Sequence, residues 1–98
     1  MFGIFDFYSS AVPLNLGALG DTWVFPKKVK GLMIRNISPT ITRTVLLDAY
    51  APDSTSQNPK IQVVNLYIPP NTTLILPIRF YRLNGPLAST TVEVYELY

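Results

Sequence analysis

Residues 44–50 read TVLLDAY and residues 73–78 read TLILPI, and neither stretch has a wholly polar face when extended. Alternation puts Val45, Leu47 and Ala49 on one side of the first stretch, with Thr44, Leu46, Asp48 and Tyr50 on the other. In the second, Leu74, Leu76 and Ile78 oppose Thr73, Ile75 and Pro77. A helix is the wrong reading for such runs. Their Val, Ile, Thr and Tyr are strand-favouring types, and nine prolines spread along the chain leave no long window with a helical period.

Working outward, similar runs recur about every ten residues, each bounded by Pro, Asn, Gly or Ser, as strand punctuation should be. The pattern predicts strands over residues 22–25, 29–37, 42–50, 60–68, 72–80 and 90–97. Asn36-Ile37-Ser38-Pro39-Thr40 and Asn84-Gly85-Pro86 read as turns, and Pro69-Pro70-Asn71 as a stiff corner. Pro77 predicts that its strand lies at an edge or carries a bulge. Residues 52–59 (PDSTSQNP) form the most polar segment and are predicted to be an exposed, mobile loop. The expected fold is all-β: a single small antiparallel β-sandwich, jelly-roll-like or Ig-like, with about 6–8 strands. At 98 residues the chain is short for a full eight-stranded jelly roll, which leaves an Ig-like order of six or seven strands open.

One domain accounts for this length. We divide it into an N-terminal segment, residues 1–21, and a β-sandwich, residues 22–98. The segment carries Phe2, Phe5, Phe7 and Tyr8 among Gly3, Gly17 and Gly20, without a clean period. It reads either as an edge strand with its loop or as an arm that docks its aromatic rings into a neighbouring subunit. No Lys or Arg precedes Lys27, and polar residues break the apolar ones, so neither a signal peptide nor a membrane span is expected.

The composition is poor in reactive groups. Without His or Cys, the common nucleophile–base pairs and zinc sites cannot be assembled. The carboxylates are Asp6, Asp21, Asp48, Asp53, Glu93 and Glu96, and their spacing indicates no catalytic pair. Asp48 and Glu93 fall on outward strand faces, where solvation or a salt bridge is the default. No calcium loop, phosphate loop, metal site or cofactor site is expected. Lys27, Lys28 and Lys30 form a basic cluster too small to neutralise many phosphates, so nucleic acid is not the expected partner. Asn36-Ile37-Ser38 and Asn71-Thr72-Thr73 match the glycosylation acceptor triplet, a pattern that arises often by chance.

Charge is the other deficit. Charged residues make up 14% of the chain, against about 25% in an ordinary soluble domain. Combined with strands apolar on both faces, this predicts surfaces buried against partners. Tyrosine suits such surfaces, since its ring buries area while its hydroxyl finds a polar partner. The candidate interface residues are Phe2, Phe5, Phe7, Tyr8, Tyr50, Tyr67, Tyr95 and Tyr98.

Three segments, LMIRNI at residues 32–37, VLLDAY at 45–50 and YIPPNTT at 67–73, resemble the small β-sandwich proteins of virus particles. These include minor capsid, penton and decoration proteins of icosahedral viruses. The resemblance covers about half the chain and transfers no functional residue. It implies a structural subunit of a virion, partnered by itself or by other capsid proteins and acting on no small-molecule substrate. The expected function is therefore non-enzymatic assembly through protein–protein contacts. A binding module for glycan or protein, using a tyrosine-rich face, is the alternative.

Overall fold

A computed structural model describes residues 7–15, 22–55, 57–85 and 91–98. Among them are eight strands: β1 (Ala11–Pro13), β2 (Trp23–Val24), β3 (Gly31–Asn36), β4 (Arg43–Tyr50), β5 (Ile61–Ile68), β6 (Thr72–Leu76), β7 (Phe80–Gly85) and β8 (Val92–Leu97). They form two four-stranded sheets, ordered β1-β8-β3-β6 and β2-β7-β4-β5. Every pairing is antiparallel.

The order has a simple logic. β4 pairs with β5, β3 with β6, β2 with β7 and β1 with β8. The chain is thus one long antiparallel ribbon, doubled back at the β4–β5 loop. Rolling that ribbon brings β3 against β8 and β4 against β7. This nesting is a jelly roll. An Ig-like order would set several consecutive strands side by side; here β4 and β5 are the consecutive pair among the described strands. Eight strands fit into so short a chain because β1 has three residues and β2 only two.

The two sheets enclose one core. Leu32 and Ile34 of β3 and Val92 and Val94 of β8 meet Val45, Leu47 and Ala49 of β4, Ile68 of β5, and Phe80 and Leu83 of β7. Phe25 and Val29, between β2 and β3, complete it. Each fully buried Leu or Ile contributes about 1.5–3 kcal/mol.

Two strands depart from the sequence expectation. Residues 72–80 are not one strand: β6 ends at Leu76, immediately before Pro77, and Phe80 opens β7. The proline does mark an edge, since β6 is outermost in its sheet. β7 escaped detection because its register against β4 shifts twice. Gly85, Leu83, Arg82 and Phe80 oppose Leu46, Leu47, Asp48 and Ala49, skipping Asn84 and Tyr81. Such bulges break the two-residue period, so Phe80 and Leu83 are both buried although they lie three apart. Asn84 and Gly85 consequently belong to a strand, while Pro86 lies outside the described residues.

Asn36 closes one end of the sandwich. Its Nδ2 donates to the carbonyls of Ile41, Ile68 and Pro69 at 2.8, 2.9 and 3.2 Å, and its Oδ1 accepts from the Ser38 N–H. The side chain is buried, so the acceptor triplet beginning at Asn36 is a structural latch. The loop after β4 is exposed, as expected, but is held by its own hydrogen bonds. Ser54 Oγ accepts from the Lys60 N–H, Thr55 Oγ1 accepts from the Asn58 N–H, and Lys60 Nζ meets Asp53 at 2.6 Å.

Candidate functional site

The outward residues of the β4–β5 hairpin face one another in register: Thr44 with Tyr67, Leu46 with Asn65, Asp48 with Val63, and Tyr50 with Ile61. Their neighbours Val45, Leu47 and Ile68 are buried in the core. The outer face of the second sheet is therefore mostly apolar. Val63 and Tyr67 are each 68% exposed, and Leu46, Tyr50 and Ile61 are exposed beside them.

This face runs to the free edge of β5. An edge strand presents unpaired N–H and C=O groups that can template another strand, and proteins usually blunt such edges. Among the described residues three of the four edges are blunt. β1 is three residues long and contains Pro13; β2 is two residues long, with Pro26 close behind; β6 stops at Pro77. β5 is eight residues long and reads IQVVNLYI, with no charge, glycine or proline. Only Lys60 and Pro69, outside the strand, flank it. Among the described residues it is the unprotected edge.

The same face carries one strong ion pair. Asp48 accepts from Arg82 Nε at 2.7 Å and Nη2 at 2.6 Å. Its position on the outer face agrees with the sequence, but the carboxylate is buried, with only 2% of its side chain exposed. The β7 bulge is the reason. It sets Tyr81 and Arg82 successively on the outer side, where Arg82 covers Asp48 and Tyr81 meets Tyr50 edge-to-face, ring centres 6.0 Å apart. A cleft of about 640 Å³ lies beside these two tyrosines, with Lys27, Arg79, Ser54 and Thr55 also on its walls.

A second buried carboxylate lies elsewhere. Glu96 opposes Leu32 on the inner side of the first sheet. Trp23 Nε1, from the other sheet, donates to its Oε2, and the Tyr98 hydroxyl donates to its Oε1, both at 3.2 Å. Desolvation raises the Tyr98 phenol above the usual tyrosine range, and the charge and hydrogen bond of Glu96 add to the shift. Lys28 stands 5.8 Å from the centre of the Tyr98 ring. Glu93 keeps an outward position beside its cross-strand partner Arg35, at 3.2 Å.

The candidate interface residues do not form one patch. Tyr50 and Tyr67 share the outer face of the second sheet. Tyr95 lies on the first sheet, opposite Pro13 and Met33, and Tyr98 packs against the core. Phe7 is exposed, Tyr8 is half-buried with its hydroxyl close to Gly31, and Phe2 and Phe5 lie outside the described residues. Of the N-terminal segment, residues 11–13 are the outer strand β1. The selection omitted Leu46, Ile61, Val63 and Tyr81, although an uncharged run of β5's length was a readable signal. The three lysines separate as well: Lys27 reaches the cleft, Lys28 covers Tyr98, and the Lys30 backbone N–H donates to the Leu97 carbonyl.

Among the described residues no group of His, Cys, Asp or Glu could hold a metal ion, and no helix is long and apolar enough to cross a membrane. No protein-family model matches the chain, and neither a curated protein nor a solved structure shows significant similarity to it.

Proposed function

We propose that this chain is a non-enzymatic structural subunit that assembles through protein–protein contacts, as a minor capsid, penton or decoration protein of a virus particle. The observation that carries the reading is the β5 edge: long, uncharged and continuous with an apolar sheet face, on a domain whose other edges are blunted. Selective protection of three edges is what a subunit needs if it is to associate in one direction and not aggregate in all. The jelly-roll order supports the viral setting by analogy alone, because lectins and cupins use the same roll. The sparse charge points the same way, since apolar sheet face left bare in solution favours association.

Light scattering across a dilution series tests the assembly. The chain should grow in mass with concentration, and Val63→Lys should hold it as a folded monomer by placing a charge on the exposed edge strand. A monodisperse monomer at every concentration, alone and with candidate capsid partners, would remove the structural reading. It would leave a binding module for glycan or protein, which the tyrosine-walled cleft favours as the second reading.

A further inference from the structure

The cleft beside the β4–β5 loop has a chemistry that edge-to-edge assembly does not use. Lys27 and Arg79 line it, and neither has an acidic partner among the described residues, whose ion pairs engage Arg35, Lys60 and Arg82 instead. Two uncompensated cations on one concavity favour an anion, and a guanidinium can grip two of its oxygens at once. Tyr50 and Tyr81 stand at 73° to each other, so a flat ring can lie on one tyrosine and meet the other at its edge. Ser54 and Thr55 accept backbone N–H groups through their oxygens, which leaves their hydroxyl protons to donate. The volume, about 640 Å³, lies in the range of small-molecule sites, roughly 300–1,000 Å³.

Among the described residues no carboxylate or carboxamide lines the cleft. That absence separates the ligand classes. Sugar hydroxyls each donate and accept, and are best matched by acidic and amide side chains that accept their protons. A phosphate only accepts, and a base offers a flat face. We propose that this cleft binds a nucleotide unit, with the base against the tyrosine pair and the phosphate between Lys27 and Arg79. The unit can come from a free nucleotide or from a single strand of nucleic acid. In the sequence Lys27 neighbours Lys28 and Lys30, but the fold sets it on one cleft with the distant Arg79.

The test titrates the full chain with AMP, adenosine, inorganic phosphate, a short oligodeoxythymidylate and a sialylated trisaccharide, following amide chemical shifts. AMP should bind and should weaken as salt rises, while adenosine and phosphate alone bind far less well. Lys27→Ala with Arg79→Ala should weaken AMP by about tenfold or more, since a hydrogen bond to a charged group is worth roughly that factor. Lys27→Arg with Arg79→Lys should retain most of the affinity. Thermal melts of both variants, whose altered side chains are exposed, exclude unfolding as the cause. An oligonucleotide that binds more tightly than AMP supports a strand as the source, and equal affinity supports the free nucleotide. The proposal falls if neither binds, if the double alanine variant binds unchanged, or if the sialylated sugar binds in place of both. Light scattering on the double alanine variant keeps this site separate from assembly, which does not depend on it.

Discussion

At the scale of single residues, the two buried carboxylates are satisfied in different ways, and each makes a distinct prediction. Asp48 is matched by Arg82, whose side chain remains 39% exposed. Removing the two partners should therefore have unequal effects. Arg82→Met strands a buried carboxylate and should cost about 2–3 kcal/mol, whereas Asp48→Asn leaves an arginine that can still reach water and should cost about 1 kcal/mol. Urea unfolding of both variants checks the order; equal losses would mean that the pair is screened like a surface bridge. Glu96 is matched by two neutral donors, and its neighbour Tyr98 titrates above its usual value. Above pH of about 10 the unfolded chain gives up this phenolic proton while the folded chain keeps it. The associated stability is complete below that pH and is lost as pH rises through the higher folded value. Tyr98→Phe should accordingly flatten the alkaline fall in urea midpoint. An unchanged slope would separate Tyr98 from that fall. Neither arrangement was legible in the sequence, where Asp48 and Glu96 are simply carboxylates in strands. Their partners, Arg82 and Trp23, stand 34 and 73 positions away.

At the scale of elements, the strands with unbroken alternation were readable and the irregular ones were not. β3, β4, β5 and β8 each keep their two-residue period because one face meets the core throughout. β7 hides its period in two bulges, and β1 and β2 are too short to display one. Gly31 makes a prediction at this level. A Cβ there would stand 2.6 Å from the backbone oxygen of Leu76 and 2.9 Å from the Tyr8 hydroxyl, so the site admits only hydrogen without movement of β6. Gly31→Ala should cost about 1–3 kcal/mol, the usual range for overpacking, and thermal melts will register it. The β4–β5 loop makes another. Because Ser54 Oγ accepts the Lys60 N–H, Ser54→Ala should cost about 1 kcal/mol, measured by urea unfolding. A flexible polar loop, as the composition alone implied, would lose nothing.

At the scale of the whole molecule, assembly and ligand binding should respond oppositely to salt. The β5 edge carries no charge and the ion pair on its face, Asp48 with Arg82, is internally compensated, so association should persist or strengthen at high ionic strength, whereas anion binding in the cleft should fade as screening grows. Light scattering and nucleotide titration over the same salt series would distinguish the surfaces, and association that dissolves in salt would argue against the β5 edge. By itself the sequence determined the all-β class, the main strands, an edge or bulge at Pro77, and a composition poor in charge. Those follow from local properties: side-chain shape, alternation, proline chemistry and composition. Tertiary structure alone decided the jelly-roll order, the one edge left unprotected among the described residues, the scattering of the chosen tyrosines over both sheets, and the placing of Lys27 and Arg79 on one cleft. Each of these depends on which strands the rolled ribbon sets side by side. Pairing is a relation between segments far apart in the chain, and alternation within either segment is the same whichever partner it finds.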